Sequence, residues 1–337
     1  MNKIVSIKDI ARIVGVSHST VSRALRASPV VSAETADRIR RVASKQGYRA
    51  SLIGRSLVMR RSMSVGCVAT DIADPFVAEV MDGIEEEANR QGYAVFLASS
   101  HGNPKREIDV VRSFHERRVD GVIVPASRVG PLYLPHLAQL QIPVVLINSQ
   151  HPGAYTHSVS IDNAGAASRL TSHLLELGHR RVAYIGNLHG NQSDADRLSG
   201  YRSALRKAHV PYRQEFVVKA DSAAAGGRTQ MTKLLALHQR PTAVFCYDDM
   251  TALGALAAAR AGGVSVPGDL SIVGFDDLYI ASYTAPPLTT IRQPMKEMGR
   301  RAADILLRLV RGESVEKNVT FSGKLVVRES TAPPPTR

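Results

Sequence analysis

From residue 65 onward, short apolar runs alternate with stretches whose apolar residues recur at helical spacing, and this alternation limits the fold more than any other feature of the chain. Runs at 65–69, 94–98, 121–124 and 144–147 read as buried strands, separated by helices near 76–90, 105–117 and 131–140. The pattern repeats with strands near 182–185, 216–218, 243–246 and 271–275 and helices near 163–177, 194–208, 225–237 and 249–261. Strands joined through helices imply parallel sheets covered on both faces, and two such series imply a pair of doubly wound α/β subdomains with a cleft between them.

Ligands of open α/β sheets bind outside the carboxyl ends of the strands, so the polar residues there are the candidates for a site. Asp71, Asp74 and Phe76 follow the first strand, Asn148 the fourth, Asp248 and Asp249 the run ending at Cys246, and Asp276 and Asp277 the run ending at Phe275; Arg197 lies near the start of a helix. Carboxylates, an amide and a guanidinium each bond several hydroxyls, and a ring stacks on a C–H face, which suits a neutral, hydroxyl-rich ligand. Plainer readings stand beside this one: Asp248 and Asp276 as helix caps, Phe76 as core, and Arg197 as a bridge between subdomains. Asp249 and Asp277 read as caps or solvated residues, and Asp162-Asn163 as a helix start.

Charge separates the first 64 residues from the rest. The chain carries a formal +13, of which residues 1–64 hold 13 Lys plus Arg against three acids, a net +10; the other 273 residues net only +3. A basic head on a near-neutral body points to a polyanion as the partner of the head. Within the head, Ser6 can cap a helix with Ile7, Ile10, Ala11 and Val14 on one face and Asp9 as the capping-box acid, ended by Gly15. Ser17 can cap a second helix with Val21, Ala24 and Leu25 inward and His18, Ser19, Ser22 and Arg23 outward. Ser32 can cap a third, from 33 to about 46, stopped by Gly47. Two short helices around a Gly-containing turn with a third across them is the helix-turn-helix plan, whose second helix enters the major groove.

The segment Ser6-Ile-Lys-Asp-Ile-Ala-Arg-Ile-Val-Gly-Val-Ser-His-Ser-Thr-Val-Ser-Arg-Ala-Leu25 resembles the DNA-binding signature of the LacI/GalR family of bacterial transcription regulators. The resemblance extends over about residues 5–330, through Asp74-Pro75-Phe76, Arg197-Leu198-Ser199-Gly200-Tyr201, Val273-Gly274-Phe275-Asp276-Asp277 and Pro287-Leu288-Thr289-Thr290-Ile291-Arg292-Gln293-Pro294. It implies operator choice by His18 and Ser19, a base contact by Arg23, phosphate contacts by Thr20 and Ser22, and a DNA-binding role for Ser6, Ser17 and Arg55. It also implies a hinge helix whose Leu57 wedges into a base step; Ala50, Ser51 and Gly54 depart from the family's usual Pro, Asn and Ala. Glycine at 54 costs about 0.8 to 1 kcal/mol of helicity relative to alanine, so the hinge is expected to be more disordered without DNA than is usual.

For the body, the resemblance implies a fold like that of periplasmic sugar-binding proteins, with Phe76, Asn148, Arg197, Asp248, Asp276 and Gln293 around a sugar or sugar derivative. Ser222 stands where purine-binding relatives carry an aromatic ring, which disfavours a purine. The expected organisation is a helix-turn-helix domain at 1–49, hinge helix and linker at 50–64, one effector subdomain at 65–161 with 292–320, a second at 162–291 with 321–330, and a disordered tail at 331–337. The whole is expected to act as a homodimer on double-stranded operator DNA, most simply as a repressor. The tail lacks an apolar heptad, which argues against a coiled-coil tetramer.

Catalysis is not expected. The chain has no Gly-x-Gly-x-x-Gly after a strand, no Walker loop, no Gly-x-Ser-x-Gly and no His-Glu-x-x-His. Cys67 and Cys246 sit on apolar runs and read as buried thiols, and His101, His115, His136, His173, His179 and His238 as isolated surface-like or turn residues. No metal or cofactor is expected. The charged N-terminus and the lack of a long apolar stretch fit a soluble protein of a reducing, cytoplasmic compartment, away from membranes.

Overall fold

The computed structural model describes residues 5–25, 27–48, 61–126, 142–149, 156–189 and 192–336. The predicted hinge residues Arg55 and Leu57, and the helix expected near 131–140, lie outside them. The chain divides into two compact units, Met1–Ser62 and Met63–Arg337.

The first unit holds three helices, α1 (Ile7–Val14), α2 (His18–Leu25) and α3 (Ala33–Lys45). Each start is fixed by a hydroxyl. Ser6 and Asp9 form a reciprocal capping box, Ser17 Oγ accepts from Thr20 N at 3.1 Å, and Ser32 Oγ accepts from Thr35 N at 3.4 Å. Gly15 closes α1 in the left-handed region at φ 73°, a conformation that a side chain would oppose. Ile10, Val14, Val21, Ala24 and Ile39 form the small core, and the Arg38 guanidinium donates to the Val14 carbonyl at 2.9 Å, satisfying an acceptor at the end of α1.

The second unit is built on two sheets. One contains β1 (Ser64–Ala69), β2 (Ala94–Ser99), β3 (Val122–Pro125), β4 (Val144–Ile147), β5 (Thr156–Ile161) and β11 (Asn318–Phe321), all parallel, in the order β11-β5-β4-β3-β1-β2. The other contains β6 (Val182–Asn187), β7 (Val217–Ala220), β8 (Ala243–Cys246) and β9 (Ser271–Val273), also parallel, in the order β7-β6-β8-β9. The short strands β10 (Thr290–Arg292) and β12 (Lys324–Val326) pair antiparallel where the chain passes between the sheets. β1, β3, β4, β6, β8 and β9 are buried along their length, as expected of parallel strands covered on both faces.

Helices α4 (Pro75–Arg90), α5 (Pro104–Glu116) and α10 (Met295–Val310) serve the first sheet; α6 (Asn163–Glu176), α7 (Gln192–Lys207), α8 (Ala224–Leu235) and α9 (Asp249–Ala261) serve the second. The return of α10 to the first sheet depends on two glycines. A Cβ on Gly83 would lie 1.9 Å from the Lys296 carbonyl, and one on Gly299 would lie 2.1 Å from that of Val80, so α4 and α10 touch backbone to backbone. Among the described residues, no helix is long and apolar enough to cross a membrane.

Several expectations need correction. The tail is not disordered at its start. The Ala332 carbonyl meets His179 Nε2 at 2.9 Å and accepts from Ser271 Oγ at 3.1 Å, while Thr331 Oγ1 lies 3.2 Å from His173 Nε2. His179 is accordingly not a surface residue: it is 1% exposed, its Nδ1 lies 3.0 Å from Thr242 Oγ1, and burial lowers its pKa. Strands β5, β10, β11 and β12 and helix α10 are additions to the expected elements; β5, Thr156-His-Ser-Val-Ser-Ile161, has no continuous apolar run, and the others lie in the returning segment where the strand-helix rhythm is lost.

Candidate functional site

The carboxyl ends of the strands in the two sheets face one open cleft, lined by polar and apolar side chains from both halves. All six residues expected there line it: Phe76, Asn148, Arg197, Asp248, Asp276 and Gln293. Phe76 sits in the first turn of α4, placed by Asp74, whose Oδ1 caps the helix by accepting from Phe76 N at 3.0 Å, and by Pro75 at the first helical position. Asn148 follows β4 at φ 53°, and its Oδ1 accepts from Ile161 N at 3.3 Å.

The six do not act singly. Asn148 Nδ2 donates to Gln293 Oε1 at 3.1 Å, Gln293 Nε2 donates to Asp276 Oδ1, and Arg197 Nη2 stands 3.7 Å from the same carboxylate oxygen. This buried row joins the end of β4 in one sheet to the loop after β9 in the other. Arg197 is also fixed from behind: its Nε donates to Asn163 Oδ1 at 2.9 Å, its Nη1 to the Tyr247 carbonyl, and its guanidinium lies 3.7 Å from the centroid of the Phe275 ring. These partners all belong to the second sheet and its helices, so Arg197 does not bridge the two halves. Ser193 does, donating from α7 to the Asn148 carbonyl at 3.2 Å.

Thr70, Asp74, Asn187, Ser193, Ser222 and Tyr247 also line the cleft. Of these, Asp74 and Ser222 are legible in the sequence; Asn187 and Ser193 carry no signal there, because their place depends on where β6 ends and α7 begins. Asn163, read as structure only, is the residue that orients Arg197.

Burial governs the electrostatics. It raises the Asp74 carboxyl to about 6, with the Asp248 charge adding to the effect. Asp248 is raised by burial although it caps α9, accepting from Thr251 N at 2.7 Å. Asp276 is raised well above the carboxylate range by burial, against the pull of Arg197. The expectation that Asp249 and Asp277 are caps or solvated is incorrect. Asp249 is 1% exposed, pushed up to about 8 by burial, and accepts from Thr290 Oγ1 at 2.7 Å. Asp277 is enclosed between Arg292 and Arg328. Asp276 and Asp277 have φ of 116° and 60°, and this backbone parts their side chains, the first into the cleft and the second toward those two arginines. Among the described residues, no group of three or more His, Cys, Asp or Glu could hold a metal ion.

In the first unit, α2 buries Val21 and Ala24 and leaves His18, Ser19 and Arg23 exposed, with Thr20 and Ser22 half-buried. Ser17 Oγ lies 2.7 Å from Ser19 Oγ and 2.8 Å from Thr20 Oγ1, so the start of α2 is a cluster of hydroxyls at the positive end of a helix, the end that favours phosphate. Ser6 is exposed at the start of α1.

A helix-turn-helix unit and a two-sheet unit with a polar cleft at its strand ends define a transcription regulator with a ligand-binding domain. Residues 6–51 match the bacterial regulatory proteins of the lacI family, and residues 171–331 match the periplasmic binding protein-like domain. The HTH-type transcriptional regulator DegA of Bacillus subtilis (strain 168) is 33% identical over 97% of this chain and 98% of its own. Among solved structures, the lac repressor dimer bound to operator and the anti-inducer ONPF superposes with a TM-score of 0.89 at 25% identity, over 98% of this chain and 100% of that one. A complex of the transcriptional regulator CelR with cellobiose gives 0.74 at 30% identity, over 97% and 99%. The chain belongs to the LacI family of bacterial transcriptional regulators, a family of DNA-binding proteins and not of enzymes.

Proposed function

We propose that the protein is a homodimeric repressor that binds operator DNA through α2 and changes its affinity when a sugar or sugar derivative occupies the cleft. The observation that carries the DNA reading is the two-faced α2: Val21 and Ala24 are held in the core while His18, Ser19 and Arg23 are left exposed. Arg23 can bond guanine bidentately, His18 and Ser19 can read base edges, and Ser6, Ser17, Thr20 and Ser22 supply phosphate donors. Arg55 and Leu57, in the hinge, take their minor-groove roles from the family resemblance alone.

The effector reading rests on the fixed row Asn148, Gln293, Asp276 and Arg197, with Asp248 and the stacking face of Phe76 in the same cleft. Such a row matches several adjacent hydroxyls, and the similar regulator CelR forms a complex with cellobiose. Ser222 presents a hydroxyl, held by Asn187, where a purine would need a ring to stack on. Binding that favours one arrangement of the two halves shifts operator affinity by a coupling free energy of about 1 to 3 kcal/mol.

Filter binding to the native promoter region at about 150 mM salt, near the ionic strength of a cell, tests the DNA reading. Equal affinity for promoter and unrelated DNA would sink it. Titration calorimetry of the full chain against pentoses, hexoses, disaccharides, sugar acids and nucleobases tests the effector reading, and it fails if only nucleobases bind.

A further inference from the structure

The charge in the cleft is unbalanced. Among the described residues lining it, three are carboxylates, Asp74, Asp248 and Asp276, and one is a cation, Arg197. The cation is already engaged: its Nε and Nη1 are used on Asn163 and the Tyr247 carbonyl, and its remaining nitrogen faces Asp276. Asp276 is further satisfied by Gln293. Among the described residues, Asp74 and Asp248 have no cation at ion-pair distance; Arg197 reaches Asp248 only through its longer-range field. Asp74 receives the backbone N–H groups of Phe76 and Val77 in its own helix, and Asp248 receives Thr251 and Ser222. Each charge works against the other across a site that burial has already made unfavourable for carboxylates. A buried charge without a counter-charge is costly, and either a proton or a cationic group on the ligand relieves it.

We propose that the effector is a hydroxyl-rich ring bearing a protonated amino group, an amino sugar or close analogue, with the ammonium received by Asp74 and Asp248. The hydroxyls then belong to the row from Asn148 to Arg197, and the stacking face to Phe76. A neutral sugar fills the same row and offers the two carboxylates hydroxyl donors but no counter-charge. An anionic ligand, such as a sugar phosphate or a uronate, adds a further negative charge to them. This inference rests on the sugar reading of the cleft and specifies its chemical class.

The test is calorimetry of the full chain at about pH 6.5, where a sugar ammonium is protonated, with glucosamine, galactosamine and mannosamine, each beside its parent hexose and its N-acetyl derivative. At least one amino sugar should bind about tenfold or more tightly than both of its neutral counterparts, since one charge-assisted contact distinguishes them. In Asp74→Asn the ratio of amino-sugar to parent-hexose affinity should fall by about tenfold. Asparagine caps a helix as well as aspartate does, so α4 keeps its start, and an unchanged melting temperature confirms it. Parent hexose binding as tightly as the amino sugar overturns this inference and leaves the sugar reading standing. An amino-sugar preference that survives unchanged in Asp74→Asn also overturns it. Failure of every sugar, here and in the wider panel of pentoses, disaccharides and sugar acids, removes the sugar reading together with it.

Discussion

The backbone N–H of Leu278 donates to Asp249 Oδ2 at 2.8 Å, and this bond holds the loop after β9 in place. The loop has different partners at each residue. Asp276 faces the cleft, Asp277 is enclosed by Arg292 and Arg328, and Leu278 packs into the apolar cluster of Phe76, Val80, Ile147 and Met298 on the first sheet. Asp276, at the cleft, is therefore two residues from a packing contact between the two halves. Non-glycine residues at positive φ, as here at 276 and 277, persist only where their surroundings hold them.

Asp249 makes that support dependent on pH. Its carboxyl titrates at about 8 in the folded chain against 3.8 for the ordinary group, because burial disfavours the charge. The folded state therefore binds the proton more tightly. The stabilisation is complete below the ordinary value, declines as pH rises through the interval up to about 8, and levels off above it. The substitution Asp249→Asn reproduces the protonated group, its amide donating to Thr290 and its oxygen accepting from Leu278. Urea denaturation between about pH 5 and 8 should show the native chain losing stability more steeply than Asp249→Asn, by up to about 1.4 kcal/mol per pH unit. Parallel curves would refute the assignment.

Arg23→Ala should leave the first unit folded, since the side chain is exposed and lies outside the core cluster. Its effect should fall on discrimination: competition binding should show a loss of about 1 to 3 kcal/mol for operator over unrelated DNA, with weak general binding retained.

Asp276→Ala should uncouple the two activities. Operator affinity without ligand is expected to stay within a few-fold of the native chain, whereas added effector should no longer change it, because Gln293 and Arg197 lose the group that aligns them. A normal ligand response in DNA-release assays would mean that the cleft is misassigned.

Gly299→Ala should destabilise the second unit. The new methyl carbon would meet the Val80 carbonyl at 2.1 Å, and backbone cannot yield as a flexible side chain does. A loss of about 1 to 3 kcal/mol in denaturation is expected, typical of overpacking.

Truncation after Ser330 removes the Ala332 carbonyl, which serves both His179 and Ser271 in a buried setting. Leaving those groups short of a partner should cost about 1 to 3 kcal/mol, measurable as a lowered melting temperature. A tail without a structural role would give no change.

Much of this protein is legible in order along the chain. The 3.6-residue spacing of Ile7, Ile10, Ala11 and Val14 and the serines before each helix set the first unit, because helix faces and caps are local properties. Alternating apolar runs likewise set the parallel sheets, and of the polar residues after those runs Asp74, Asn148, Asp248 and Asp276 fall at the cleft, because strand ends in such sheets share one side, whereas Asp71, Asp249 and Asp277 do not line it. The family signature then ties Phe76, Asn148, Arg197, Asp248, Asp276 and Gln293 to one site.

The sequence by itself determined which segments become helix and strand over most of the chain, and which residues end them. Tertiary structure alone decided what each polar residue faces. In the adjacent pair Asp248 and Asp249, the first lines the cleft and the second is enclosed against Thr290 and Leu278. Asn148 and Gln293 bond across 145 positions, and His179 is covered by a tail that returns 153 residues later. Periodicity reports which side of an element is buried; burial, partner and protonation depend on what the rest of the chain brings against it, and that is settled only when distant segments pack together.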